Sequence, residues 1–204
     1  MRPDSLPSRI VAAFARTSPV FRPSGDGAVR RSWWRAWTRT SPSFARSSSF
    51  IGPGLDLHHA AFVFANLTHA DLTRANLTGA NLVLANLTHA NLTEANLTGA
   101  RLASARLISV NLTGAILTEA RLTNANLTGA NLTEARLTNA NLTSANLTDT
   151  TLIGAELTGA VWNEQTRWPT AEWTERLHAS SERLQDGRLQ IRVWGSSNNA
   201  VVHA

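Results

Sequence analysis

The sequence predicts an all-β solenoid: a quadrilateral β-helix of about five and a half coils between residues 55 and 162, closed by a short cap of helix plus strand. Three observations predict it. An apolar residue stands at every fifth position from Leu57 to Trp162, always Leu except Phe62 and Trp162, which makes 22 repeats without a slip. Two places before each stands Ala, except at Leu55, Val110 and Thr150, and Asn usually lies between. A period of five matches neither a helix (3.6) nor a flat strand (2), so a repeat architecture is required.

Each element of that prediction has a physical reason. A chain that turns every five residues points two side chains per repeat inward, one small and one large, and three outward. Ala suits the cramped inward position and Leu fills the centre. Four sides close one coil, so residues 20 apart stack at the sheet spacing, and the coils form a rod ~26 Å long at ~4.8 Å per coil. No single coil can bury its own Leu, so stability comes from stacking. Thr150, at a position meant for Ala, must bond its hydroxyl to a neighbouring backbone carbonyl.

The runs Ala-(Asn/Asp)-Leu-X-X, as in Ala75-Asn76-Leu77-Thr78-Gly79, resemble the pentapeptide-repeat family over more than half the chain. That resemblance implies a right-handed coil. It is specific for fold and weak for function, because the fold hosts several unrelated roles. After Trp162 the period dissolves. Thr166-Arg167-Trp168-Pro169 looks like the ending that bacterial members, of the actinobacterial type, place after the last coil. Residues 163–204 then read as a C-terminal cap and frayed tail. Thr170 is positioned to cap a helix over about 171–184, with Trp173, Leu177 and Leu184 on one face. Asp186-Gly187 signals a turn, and Leu189, Ile191 and Val193 alternate as a strand over about 188–194.

Residues 1–54 are rich in Arg, Ser and Pro and have no sustained period, which reads as a disordered or adaptable arm. Trp33, Trp34 and Trp37 are the exception, since three Trp are costly to leave in water and should dock on something. A misplaced start codon and an organelle transit peptide are the alternative readings of this segment.

Charge divides along the chain. Residues 1–50 carry nine Arg against Asp4 and Asp26, whereas residues 51–162 carry five Arg against seven acids. All nineteen basic residues are Arg, and there is no Cys. The lack of Cys excludes disulfides, a thiolate nucleophile and Cys-based metal sites. No apolar run approaches the ~18 residues of a membrane span, and Arg30-Arg31 is not followed by the apolar stretch of a secretory signal. A cytoplasmic protein is expected.

Motifs for catalysis are missing: there is no phosphate loop, no Gly-x-Ser-x-Gly and no His-Glu-x-x-His. The chain is therefore read as not an enzyme, with no cofactor. His69 and His89 are 20 apart and should stack, as a surface ladder rather than a metal pair, and His58-His59 read the same way. Ten Asn-Leu-Thr triplets formally fit the glycosylation acceptor, but the repeat consensus itself generates them.

The functional reading is an interaction scaffold, cytoplasmic and bacterial, binding an unknown protein partner or a second copy of itself. Folding the sequence onto four sides collects Val63, Phe64, Val83 and Leu84 as one outward apolar patch, flanked by Ala61 and Ala103, and such a patch usually marks a contact site. Either the Trp-bearing arm or another molecule should cover it. Beyond it Arg101 stacks below Arg121, with Arg106 on the next side, as a candidate basic patch that reads either as solvated surface or as a site for an acidic partner or anion. Family members that protect DNA gyrase present a DNA-like acidic rod, so a DNA mimic directed at gyrase or topoisomerase is the alternative. Here the residue before the central Leu is acidic only at Asp56, Asp71 and Glu156, which weakens that resemblance. Nucleic-acid binding through the basic arm, residues 1–50, is a third possibility.

Overall fold

The computed structural model describes residues 53–192, and the expectations for residues 1–52 and 193–204 lie outside the described residues. Parallel bridges join residues 20 apart from Asp56↔Asn76 through Asn141↔Val161, and within each coil the chain turns every five residues. This is a repeat β-helix. We label its sides by their central residues: side A carries Leu57 and its stack to Leu157, side B Phe62 to Trp162, side C Leu67 to Leu147, and side D Leu72 to Leu152.

The hydrogen bonding follows one rule. The residue before each central Leu exchanges both backbone groups with the neighbouring coil: Asn76 N–H donates to Leu55 C=O at 2.8 Å, and Leu57 N–H donates to Asn76 C=O at 2.8 Å. Each turn is closed locally, as in Ala75 N–H to Leu72 C=O at 3.0 Å. The second residue of every turn from His59 to Gly159 has φ between +51° and +75°, as at the third position of a type II turn. The inward columns are almost dry: every central Leu from Leu72 to Leu147 is no more than 1 % exposed.

The Asn column has a role beyond filling the outer surface. In most Asn-Leu-Thr runs the Asn carboxamide oxygen accepts from both the N–H and the hydroxyl of the Thr two residues on, at 3.2 and 2.7 Å for Asn76 and Thr78. This side-chain turn pins the entry to each corner. Thr150 behaves as its position demands, with its buried hydroxyl donating to Leu147 C=O.

The period does not end at Trp162. Arg167 bridges Asn146, and Leu147 N–H donates to Arg167 C=O at 2.6 Å. Thr166 and Trp168, both buried, therefore occupy the small and large inward positions of one more repeat on side C. The bridge spans 21 residues rather than 20, because the preceding turn holds one extra residue. That insertion breaks the local ladder, and side chains repair it. Ser144 N–H donates to Asn163 Oδ1 at 2.9 Å, while Thr166 Oγ1 donates to Leu142 C=O at 3.0 Å.

The cap seals side B. Strand β1, Val161–Trp162, pairs antiparallel with β3, Leu189–Ile191, which pairs in turn with β2, Ser181–Arg183. Helix α1, Ala171–Ala179, is capped by Thr170 and buries Trp173 and Leu177. The helix is thus five residues shorter than the expected 171–184. Ser180 turns the chain out of the helix, and pairing with β3 draws 181–183 into a strand, leaving Leu184 half-buried at the hairpin turn. Trp162, wholly buried, sits under this lid with its indole N–H on Ser181 Oγ at 3.0 Å, edge-on to Trp168 and His178.

Candidate functional site

The turn between sides B and C brings together the four apolar residues singled out in the sequence. Phe64 N–H donates to Val83 C=O at 3.1 Å and Leu84 N–H to Ala103 C=O at 3.0 Å, so the pairs lie one above the other. Phe64 is 74 % exposed, Leu84 44 % and Val63 41 %, while Val83 is half-buried. Neither core nor turn calls for these residues. Phe64 and Leu84 both have φ of 58°, a left-handed conformation that favours Gly, Asn or Asp and disfavours bulky side chains. At the other left-handed positions of the repeats stand Gly, His, Ser, Asn, Asp, Glu or Arg.

The basic residues continue the same edge. Arg101 and Arg121 are bridge partners on side B, and Arg106 lies on side C; all three are exposed. They stand in the Asn column, where they forgo the side-chain turn that Asn would make. Among the described residues none of the three has an ion-pair partner. Sides B and C and the turn between them carry no acid from Ala60 to Leu147.

The opposite edge differs. Side D, side A and the turn between them hold Asp56, Asp71, Glu94, Glu134 and Glu156 against Arg74 and Arg136. Both arginines are matched there, Arg74 Nε to Glu94 Oε2 at 2.6 Å and Arg136 Nε to Glu156 Oε2 at 3.5 Å. The Arg74 hydrogen bond holds the Glu94 carboxyl below its ordinary range. At Asp56 burial works in the opposite sense, but the hydrogen bonds from His58 outweigh it and lower the carboxyl. The coils are therefore polarised across their width.

His69 and His89 stack on the turn between C and D, ring centroids 5.1 Å apart and 16° from parallel. Among the described residues no group of three or more His, Asp or Glu could hold a metal. No helix among them is long and apolar enough to cross a membrane. Ile153, 43 % exposed on the turn between D and A, is an outward apolar residue that sequence reasoning missed. Its signal was an Ile in the Thr column.

The family profile described as pentapeptide repeats matches residues 54–88, 85–124 and 120–159, in eight copies. The chain belongs to the pentapeptide-repeat family. No curated protein sequence matches it. Among solved structures it is similar to a pentapeptide repeat protein from the cyanobacterium Cyanothece 51142, at 32 % identity over 57 % of this chain and 89 % of that one, with a TM-score of 0.42. A pentapeptide repeat protein from Nostoc PCC 7120 is 37 % identical over 45 % of this chain and 75 % of that one, TM-score 0.44. A plasmid-mediated fluoroquinolone resistance protein, QnrB1, is 16 % identical over 62 % and 85 %, TM-score 0.25.

Proposed function

We propose that this pentapeptide-repeat protein is a non-catalytic, cytoplasmic scaffold that binds another protein through the turn between sides B and C. One observation carries the reading: Phe64 and Leu84 are large, exposed and left-handed at once, so folding alone gives no reason for them. We take the solenoid to be square and right-handed, with about five and a half coils of regular repeat, so that this turn forms a straight edge for a partner to grip. Bridges 20 apart and a turn every five residues support that geometry.

A DNA mimic directed at gyrase is less well supported. It needs a continuous acidic face, and here the edge with the exposed apolar residues has Arg101, Arg106 and Arg121 in its Asn column. The test of the scaffold reading is affinity capture with the full chain beside its Phe64→Asn, Leu84→Asn double variant. Partners lost from the variant support the reading, and a capture profile unchanged by it sinks the reading. A gyrase supercoiling assay on the full chain tests the mimic: inhibition at low micromolar concentration would restore it.

A further inference from the structure

Resting on that scaffold reading, the chemistry of the partner can be narrowed. We propose that the turn between sides B and C accepts an acidic protein segment whose apolar side chains seat on Phe64 and Leu84 and whose carboxylates meet Arg101, Arg106 and Arg121. Two independent departures from the repeat consensus converge on this edge. The apolar one is the pair of left-handed Phe and Leu residues. The charged one is a set of arginines that replace Asn, lose its turn-forming hydrogen bonds, and include two bridge partners on adjacent coils. Like charges at neighbouring sheet positions repel, so the fold gains nothing from Arg101 above Asn81 and below Arg121. Arginine pairs with carboxylate through two parallel N–H···O bonds, and an acidic segment would turn that repulsion into attraction.

The other occupants match less well. A second copy, apposed through the same turn, would meet an apolar patch of roughly 200–300 Å², against the ~800 Å² per partner of a stable interface. Enlarging the contact would bring the arginine edge of one copy towards the positive residues of the other. The segment before residue 53 carries nine Arg against two acids, the same sign as the edge it would have to cover.

The test is selection of a random linear peptide library displayed on phage against the immobilised full chain, followed by fluorescence anisotropy with the enriched peptides. Acidic peptides bearing aromatic or aliphatic residues should emerge. Their affinity should fall at least about tenfold for Phe64→Asn with Leu84→Asn, and again for Arg101→Glu with Arg121→Glu, and should weaken as salt is raised. Arg74→Gln, on the opposite edge, should leave it unchanged. All these positions point outward, and circular dichroism melts should show each variant folded.

Failure to enrich any peptide, or enrichment of neutral or basic ones, overturns the proposal. If the apolar double variant abolishes binding while charge reversal leaves it intact, the partner chemistry is wrong and the scaffold site stands. If neither variant matters, both are wrong. Sedimentation showing the intact chain to be a dimer that Phe64→Asn makes monomeric would assign the edge to a second copy instead. Exposure of the edge to a hydrophobic dye only after removal of residues 1–50 would assign it to that segment.

Discussion

The coils between Leu72 and Leu147 and the last turn beneath the cap solve the same problem by different means. In the regular coils every repeat satisfies its backbone through neighbours 20 residues away, and the inward columns are nearly all Leu and Ala. In the last turn one extra residue breaks that register. Asn163, Thr166, Trp162 and Trp168 then supply with side chains what periodicity supplies elsewhere. Repetition distributes stability over many equivalent contacts, whereas the terminus concentrates it in a few that have no substitute.

That contrast can be broken first at Trp162. Trp162→Ala should cost ~3–5 kcal/mol and loosen the cap, seen as a lower denaturant midpoint and early hydrogen exchange in residues 159–191. A cost under ~1 kcal/mol would show that the cap is held by its own hairpin and not by this indole. Thr166→Val, which keeps shape and removes the hydroxyl, should cost ~1–3 kcal/mol, because it takes the acceptor from Asn163 N–H and removes one of two partners from Ser144 N–H and Leu142 C=O where the ladder is interrupted. Thermal melts decide it, and a neutral result would return the repair to Asn163 alone.

Away from that insertion the effects should shrink. Thr150→Ala restores the consensus and should change stability by no more than ~1 kcal/mol in either direction. A loss above ~2 kcal/mol in denaturant melts would contradict the packing given to it. The smallest effect is that of pH at Glu94. Its folded carboxyl is lowered by Arg74, so the unfolded state takes up its proton first as pH falls. Any stability it contributes is present above the ordinary Glu value of ~4.3 and is lost as pH drops through the folded value. Arg74→Gln should flatten the acid limb of a melting-temperature profile only slightly, since the pair is exposed. A large flattening would mean that this pair matters far more than an exposed ion pair should.

The same contrast explains what was legible in the sequence. The regular coils announce themselves because their packing rule repeats: Ala75 and Leu77 say the same thing as Ala95 and Leu97. The apolar patch and the basic patch were legible as departures from that rule. Trp168 was not, because one added residue shifts it off the count of five although Thr166-Arg167-Trp168 keeps the small-any-large order. The helix end at Ala179 was hidden for another reason. Leu184 has helical spacing from Leu177, and only pairing of Ser181–Arg183 with β3 removes it from the helix. The role of Asn is not legible from the Asn-Leu-Thr triplets alone, since an outward Asn fits plain surface as well as it fits an acceptor for its own turn.

A coil of four five-residue sides also behaves as a dial. Removing or adding one whole repeat keeps every inward residue inward, yet rotates all that follows by one side relative to all that precedes. Excising Glu94–Thr98, for example, would carry Arg101 and Arg121 from side B to side A while leaving Phe64 and Leu84 where they are. Surface chemistry in such a chain can be rephased one side at a time without redesigning its interior. The single-residue insertion before Thr166 shows the contrast: a step that is not a multiple of five is held by the side chains of Asn163 and Thr166.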